Sequence, residues 1–403
     1  VSAVDAALDA GIEAVVREGN CSGCGACTRL DAGLEMRLDA EGYSRPVRVG
    51  PSTAAPDARR RFDAACPGMV MPAVRPPGST RHPTMGPVIQ AWEAWATDDE
   101  VRFTGSSGGT LTAIAAWLTA TGEASSVVGA RAEASEPRRT VSVSIMSREE
   151  ALASAGSRYG PVSNAAHPQS LDPGCAVIGK PCEASALRAL GGDDGPLLMS
   201  FFCAGTPSQH ATDGLVEQLG VPARTPLRSL WYRGHGWPGA FTATTDDGTA
   251  VTSSYDDSWG KHLGRAVQWR CRICPDGVGE SSDLTAADLW TTDERGYPDF
   301  SDGAGVSALI ARTPRGLDVV QRAIAAGVIA ATPIEIDRLA AIQPLQRQRR
   351  ITLAGRLAGI RLARGRVPRF PGFGLTRLAL SQWRESYRAA KSGYRRRREW
   401  LRR

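Results

Sequence analysis

The sequence predicts a mixed α/β core, preceded by a small cysteine-rich module and followed by a basic helical tail. Three observations lead there. Strand-like and helix-like runs alternate through residues 125–202, a tight cysteine triplet stands near the start, and charge is divided sharply between residues 344–403 and the rest.

The 403 residues, 42% of them hydrophobic, are enough for two or three packed units with a sizeable buried core. Nine cysteines grouped at short spacings fit metal ligation in a reducing compartment better than a secreted disulfide framework, so a cytoplasmic location is expected. Residues 1–20 carry Asp5, Asp9 and Glu13 and lack the basic start and apolar core of a secretory signal. No apolar run reaches the length of about 18 that a membrane span needs. The net charge of +6 conceals an asymmetry: residues 344–403 hold 18 Lys and Arg against Glu385 and Glu399, which leaves residues 1–343 at about −10.

In chain order, a helix is expected over residues 3–17, where Val4, Ala7, Leu8, Ile12, Val15 and Val16 recur at near-helical spacing before Gly19-Asn20. It runs into Cys21-Ser22-Gly23-Cys24-Gly25-Ala26-Cys27, a run completed by Cys66-Pro67. Three cysteines each two residues apart bring thiolates into one loop, and the glycines let backbone amides turn toward the sulfurs. That pattern suits a [4Fe-4S] cluster on Cys21, Cys24, Cys27 and Cys66. A zinc knot or disulfides are the plainer readings, although structural zinc usually takes its cysteines in pairs. A strand or turn at residues 42–47 and a charged segment at 57–63 complete a module over residues 1–70, a size that usually needs a metal to supplement its core. Residues 71–87, with Pro72, Pro76, Pro77, Pro83 and Pro87, read as a stiff linker to a core over 88–335, and the tail occupies 336–403.

Within the core, Thr104-Gly105-Ser106-Ser107-Gly108-Gly109-Thr110 opens a helix over 111–120, and small residues there suit a phosphate or a flavin edge as well as an ordinary glycine turn. Strands at 125–130 and 141–146, a helix at 148–155, and strands at 175–178 and 196–202 follow. The last two strands end at Gly179-Lys180-Pro181-Cys182 and at Cys203-Ala204-Gly205, the edge where such sheets hold ligands. With Cys271-Arg272-Ile273-Cys274, these cysteines form a second constellation that spacing alone leaves open between zinc, a cluster and free thiols. Two groups of four leave only Cys175, inside an apolar strand.

Taken together, Ser107-Gly108-Gly109, Gly156-Ser157-Arg158-Tyr159, Gly179-Lys180-Pro181-Cys182, Phe202-Cys203, Cys271-Arg272-Ile273-Cys274-Pro275-Asp276, Ser282-Asp283-Leu284, Asp288-Leu289-Trp290 and Gly305-Val306-Ser307 make the chain resemble a family. It is similar to the beta subunits of coenzyme F420-reducing hydrogenases and dehydrogenases and their relatives, such as 7-hydroxymethyl chlorophyll a reductase. The resemblance covers about residues 86–330, and Cys21, Cys24, Cys27 and Cys66 match a ferredoxin-like extension of some members. It implies an FAD and two [4Fe-4S] clusters, one of them on Cys182, Cys203, Cys271 and Cys274. Ser107, Gly108, Gly109, Ser157, Arg158, Tyr159 and Lys180 would line the cofactors. Lys180 stands where the family often has threonine, and Arg158 where it often has lysine; both keep or add positive charge, although arginine is not an equivalent point charge.

The expected activity is an exchange of single electrons, from ferredoxin or another redox protein, for hydride at FAD, with coenzyme F420 or an organic metabolite as the two-electron partner. Either direction is allowed. The alternative is an electron-transfer subunit without a substrate of its own, serving a partner enzyme. His235, His262 and Tyr159 are the candidates for proton transfer, each weighed against a structural role. Trp237 and Trp259 read as core or pocket walls, and Asp283 and Asp288 as turn aspartates or as residues that touch a ribose or orient Arg270. In the tail, helices are expected over 353–362 and 375–390, with Trp383, Tyr387, Tyr394 and Trp400 interleaved with arginines. Such a face suits an acidic protein such as ferredoxin, or peripheral contact with an anionic inner-membrane surface, unless it folds back on the acidic core. No nucleic-acid motif accompanies the charge, so nucleic acid is not expected as a partner.

Overall fold

The computed structural model describes residues 3–290 and 303–400; residues 401–403 of the expected basic tail lie outside them. Helix α1 (Ala3–Arg17) buries Leu8, Ile12 and Val15 in one cluster with Phe62. The hairpin of β1 (Leu34–Leu38) and β2 (Ser44–Arg48) pairs Leu34 with Arg48. The charged segment after it is a helix, α2 (Ala58–Ala65), whose buried residues Ala58, Phe62 and Ala65 sit at spacings of four and three. Arginines at 59–61 mask this narrow apolar stripe, which is why composition suggests no helix.

Residues 71–87 are more than an extended spacer. They contain the hairpin of β3 (Thr80–His82) and β4 (Gly86–Val88), Met71 and Met85 are fully buried, and the Met71 and Ala73 amides donate to Arg369 and Pro371 of the tail. The prolines limit β-pairing to three residues a strand without preventing the segment from packing.

The centre of the molecule is an eight-stranded mixed sheet. Along the chain its neighbourhood runs β5 (Gln90–Ala96), α3 (Asp99–Thr104), α4 (Thr110–Ala120), β6 (Val127–Ala132), β7 (Thr140–Ile145) and α5 (Arg148–Ala153). Then come β8 (Ala176–Gly179), α6 (Pro181–Gly191), β9 (Leu197–Phe201) and α7 (Gln209–Gln218). A separate antiparallel sheet of β10 (Leu227–Trp231), β11 (Phe241–Thr245) and β12 (Ala250–Ser253) packs Leu230, Tyr232 and Phe241 with Leu215 and Val216 of α7. The short α8 (Trp269–Arg272), β13 (Leu284–Asp288), β14 (Ser307–Ala311), α9 (Pro314–Ala325) and β15 (Ile329–Pro333) complete the core.

The strand order is β15-β5-β14-β13-β9-β8-β6-β7. Strands β6, β8, β9 and β13 are joined by parallel pairing, whereas β7 on one flank and β14, β5 and β15 on the other join through antiparallel pairs. The sheet is therefore of the α+β kind, and its parallel centre corresponds to the alternating run at 125–202. The link between β6 and β7 is too short for a crossover, so that pair is antiparallel. Because β8 and β9 are parallel neighbours, the residues that follow them emerge at the same edge.

The tail forms α10 (Ile336–Ala341), α11 (Pro344–Ile351), α12 (Leu353–Leu362), α13 (Leu375–Ser381) and α14 (Trp383–Trp400). The single helix expected over 375–390 is broken at Gln382, where the backbone leaves the helical region at φ −134° and ψ 57°. Helices α12 and α14 cross closely: a Cβ on Gly355 or Gly359 would collide with the carbonyls of Ser386 or Ala390, and one on Gly393 would lie 2.6 Å from the Arg356 carbonyl. No helix among the described residues is long and apolar enough to cross a membrane.

Candidate functional site

The first cysteine group lies between α1, α2 and the β1–β2 hairpin. Gly23 and Gly25 adopt left-handed conformations, at φ +67° and +89°, that fold the loop back on itself, and the Gly23 amide points at the Cys21 sulfur at 3.4 Å. Cys21, Cys24, Cys27 and Cys66 line one small pocket, walled by Ile12, Val15, Leu30 and Phe62. Burial pushes the Cys24 thiol up to about 11, and burial with neighbouring cysteines lifts Cys27 and Cys66 far above the ordinary range. Bare thiolates are thus unfavourable in this wall. A bound cationic centre would supply the missing charge.

The second group is assembled from the carboxyl edge of the sheet. Cys182 occupies the first turn of α6, directly after Pro181, and Cys203 lies two residues beyond β9. Cys271 in α8 accepts the Thr206 amide at 3.4 Å, and the Cys274 thiol donates to the Asp276 carbonyl at 3.2 Å. Burial, reinforced by Cys271, pushes Cys203 up to about 12, while Arg349 and Lys180 pull it down. Asp276 ties the turn after Cys274 through the amides of Val278, Gly279 and Glu280. Cys175 lies between the hydroxyls of Ser125 and Ser126, each 3.3 Å from its sulfur.

The two groups share a wall. Cys24 and Cys182 pack in one cluster with Ala26, Ala165, Ala184 and Leu187. A Cβ on Gly25 would come within 2.7 Å of the Ala166 Cβ, so glycine permits this approach. Polar contacts pin the rest: Ser163 donates to the Gly23 carbonyl at 2.9 Å, Gln268 to the Ser22 carbonyl at 2.8 Å, and Arg270 to the Pro67 carbonyl at 2.9 Å. Among the described residues no three Cys, His, Asp or Glu side chains converge as a single ion requires. Tetrahedral zinc would draw sulfurs to about 2.3 Å from one centre, hence to about 3.8 Å from each other.

The expected flavin residues divide. Ser107 and Gly108 pack against β14, where the Ser107 hydroxyl donates to Val306 and the Gly108 amide to the Ser307 hydroxyl. Ser157 bonds Ser106 at 2.8 Å, and Gly156 and Gly234 bring the adjoining loops into contact with Arg233 and Thr104. Arg158 is directed elsewhere: its guanidinium donates to the carbonyls of Pro137, Arg139 and Leu230 and to the Thr140 hydroxyl. Lys180 is buried at the cysteine edge, with its ammonium on Val162 and Glu183. Tyr159 lies in an aromatic cluster, 4.6 Å from the ring of Trp259 and 5.9 Å from that of Tyr232.

His262 is tied to the Ala211 carbonyl at 2.9 Å, and the exposed His235 meets the Trp231 ring edge-on at 4.2 Å. Neither aspartate orients Arg270. Asp288 pairs with Arg233 at 2.6 Å, and Asp283 accepts from Arg188, Arg315, Thr313 and the Leu198 amide. Sequence reasoning passed over Arg233, which is almost fully buried among Trp237, Tyr255 and Trp290. Its Nη2 and the Thr110 hydroxyl are buried without hydrogen-bond partners among the described residues. The run Arg233-Gly234-His235-Gly236 was the available signal, since both glycines take positive φ.

Comparison with known proteins places this geometry. The coenzyme F420 hydrogenase/dehydrogenase beta subunit N-terminal model matches residues 91–167, and the C-terminal model matches 173–337. The chain belongs to this family. It is an oxidoreductase family, and its two models together span the sheet and the second cysteine group but stop before α11. Among solved structures, a chain from the F420-reducing [NiFe] hydrogenase complex of Methanosarcina barkeri, derivatized with xenon, matches with a TM-score of 0.50 and 20% identity. The match covers 66% of this chain and 91% of that one, and shows a shared fold. No curated protein matches this chain.

Proposed function

We propose that this protein is an iron–sulfur flavoprotein oxidoreductase that exchanges single electrons with a redox protein for hydride at FAD. Coenzyme F420 or an organic metabolite is the two-electron partner. The observation that carries the reading is the common wall of Cys24 and Cys182, which sets two four-cysteine groups side by side. Cys21, Cys24, Cys27 and Cys66 would hold one [4Fe-4S] cluster, and Cys182, Cys203, Cys271 and Cys274 the other. Three cysteines each two residues apart, set around one pocket with the Gly23 amide turned toward the Cys21 sulfur, fit a multi-iron cube better than zinc, which usually takes its cysteines in pairs.

When bound, such cubes carry electrons singly, and a flavin combines two electrons with a proton as hydride. The chain's own residues set the conditions. Apolar side chains wall the first group, and Lys180 and Arg349 place positive charge beside Cys182 and Cys203. Ser107, Gly108, Gly109, Ser157 and Tyr159 remain the residues proposed for FAD, joined by Arg233 and Thr110, whose unpartnered polar atoms suit a ligand with acceptors. Arg158, with its guanidinium on three carbonyls and the Thr140 hydroxyl, and Lys180, on Val162 and Glu183, are in this reading supports of the site whose charge lies within the protein.

One observation favours a second reading. The His262 ring nitrogen is already held by the Ala211 carbonyl, so it is not poised to donate a proton to a substrate. In that case the protein serves a partner enzyme as an electron-transfer subunit. Anaerobic purification followed by iron, zinc and flavin analysis tests the main reading, which expects about eight irons for two such clusters, and one FAD per chain. Iron near zero with zinc in its place, or absence of flavin, would overturn it. A fully loaded protein that neither reduces F420 nor oxidises its reduced form with a dye, when alone, would support the second.

A further inference from the structure

We infer that the outward face of α14 is the docking surface for an acidic one-electron carrier protein; this deepens the proposed function and rests on it. The helix holds seven Lys and Arg against Glu385 and Glu399. Its inner face is fixed: Ser386, Gly393 and Arg397 are buried, and α12 approaches to backbone contact through Gly355 and Gly359. Turned outward are Trp383, Tyr387 and Tyr394, exposed by 61%, 57% and 42%. At about 100° per residue these three fall within roughly 40° of one another. Arg388, Lys391 and Arg395 run alongside them, all exposed.

The helix is anchored next to the first cysteine group. Arg397 donates to the Glu18 carbonyl at 3.1 Å and to its carboxylate at 2.5 Å. Asn20, immediately before Cys21, donates to the Arg366 carbonyl at 3.1 Å. A carrier seated on α14 would therefore lie beside the group proposed to receive its electron. Aromatic side chains set among arginines are the usual anchors of protein interfaces, and a positive face speeds the approach of an acidic partner. A lipid surface fits less well. Residues 383–400 contain no Leu, Ile, Val, Phe or Met, so α14 offers no aliphatic chain to the bilayer, whereas interfacial helices bury an apolar face.

The test is direct binding of the full-length, anaerobically purified protein to an immobilised acidic bacterial two-cluster ferredoxin, across a range of salt. The triple variant Arg388→Glu, Lys391→Glu, Arg395→Glu should weaken binding at least tenfold at low salt and flatten the salt dependence. Tyr387→Ser should weaken it with the salt slope kept, and Arg388→Lys with Arg395→Lys should restore it. Cluster reduction by dithionite should be the same in all variants. Equal affinity of the triple variant and wild type would overturn the proposal. So would wild-type binding to phosphatidylglycerol vesicles that the variant loses, with no ferredoxin binding in either. Iron near zero with ferredoxin binding intact would count against the proposed function alone.

Discussion

Replacing Glu280 with glutamine probes how the tail is locked to the second cysteine group. The Glu280 side chain is 1% exposed and accepts from Arg81 at 2.7 Å and from Arg350, itself 1% exposed. Arg350 also donates to the Pro275 carbonyl, beside Cys274, so the ion pair fixes α11 against the cysteine turn. Glutamine keeps the shape and removes the charge, which leaves two arginines without their shared carboxylate. Breaking a buried pair on one side costs about 3–5 kcal/mol, against about 0–1 for a surface pair. The lower end applies here, because Arg81 retains 18% side-chain exposure and the amide oxygen still accepts a hydrogen bond. At a denaturant slope of about 3 kcal/mol per molar, the urea midpoint should fall by roughly 1 M. A loss below about 1 kcal/mol would refute the view that this pair holds the tail.

The same variant has a pH signature. Burial pushes the Glu280 carboxyl up, but Arg350 and Arg81 outweigh it and hold the group below its ordinary value. A depressed folded pKa contributes stability above the unfolded value of about 4.3, and that contribution disappears as pH falls through the folded pKa. Wild type should therefore lose more stability than Glu280→Gln on acidification below about pH 4. Parallel stability–pH curves would contradict the assignment.

Three further outcomes are expected. Cys24→Ser should lower bound iron by about four atoms for one cube and impair carrier-linked turnover while flavin absorbance persists; loss of flavin would contradict the division between the two cysteine groups. Gly25→Ala, at φ +89° and with a Cβ forced to 2.7 Å from that of Ala166, should cost about 1–3 kcal/mol in chemical denaturation. It should also weaken magnetic coupling between the two reduced groups, and an unchanged coupled spectrum would refute the shared wall. Arg349→Gln, which removes the donor to the carbonyls of Cys203 and Ala204, should make the potential of the second group more negative, by an amount within about 59 mV for a tenfold one-electron effect. A positive or absent shift in a potentiometric titration would show that Arg349 serves shape alone.

The cysteine groups were legible because thiol chemistry imposes short spacings on the chain itself. Cys182 and Cys203 were legible for a different reason: both closely follow apolar strands, and parallel strands deliver such residues to a common edge. The sheet's flanks were hidden, since β5, β14 and β15 pair across more than two hundred residues and no local pattern records that register. The surroundings of Arg158 were hidden for a physical reason. Sequence shows a cation next to Tyr159, but only the fold reveals carbonyls of Pro137, Arg139 and Leu230 waiting for its guanidinium. Arg233 was missed for the converse reason, because its cage draws on Trp237, Tyr255 and Trp290 from three separate segments.

The charge division of the chain acquires a structural meaning from where the arginines point. Arg349, Arg350 and Arg356 reach inward to the carbonyls of Cys203, Pro275 and Arg272, three loop positions that belong to or adjoin the second cysteine group. Burial pulls Arg356 down to about 10, a cost compatible with folding only because its donors are well placed. Arg397 closes on Glu18 beside the first group, while Arg384, Arg388, Lys391 and Arg395 face solvent on the same helix. A purely solvating tail would turn all of these outward. The family models end at residue 337, before any of them, so the tail is the part of this chain that joins the two cysteine groups from outside and adds a surface of its own. Truncation at residue 343 should therefore weaken both cysteine groups together, whereas a dispensable tail would leave iron content and stability where they were.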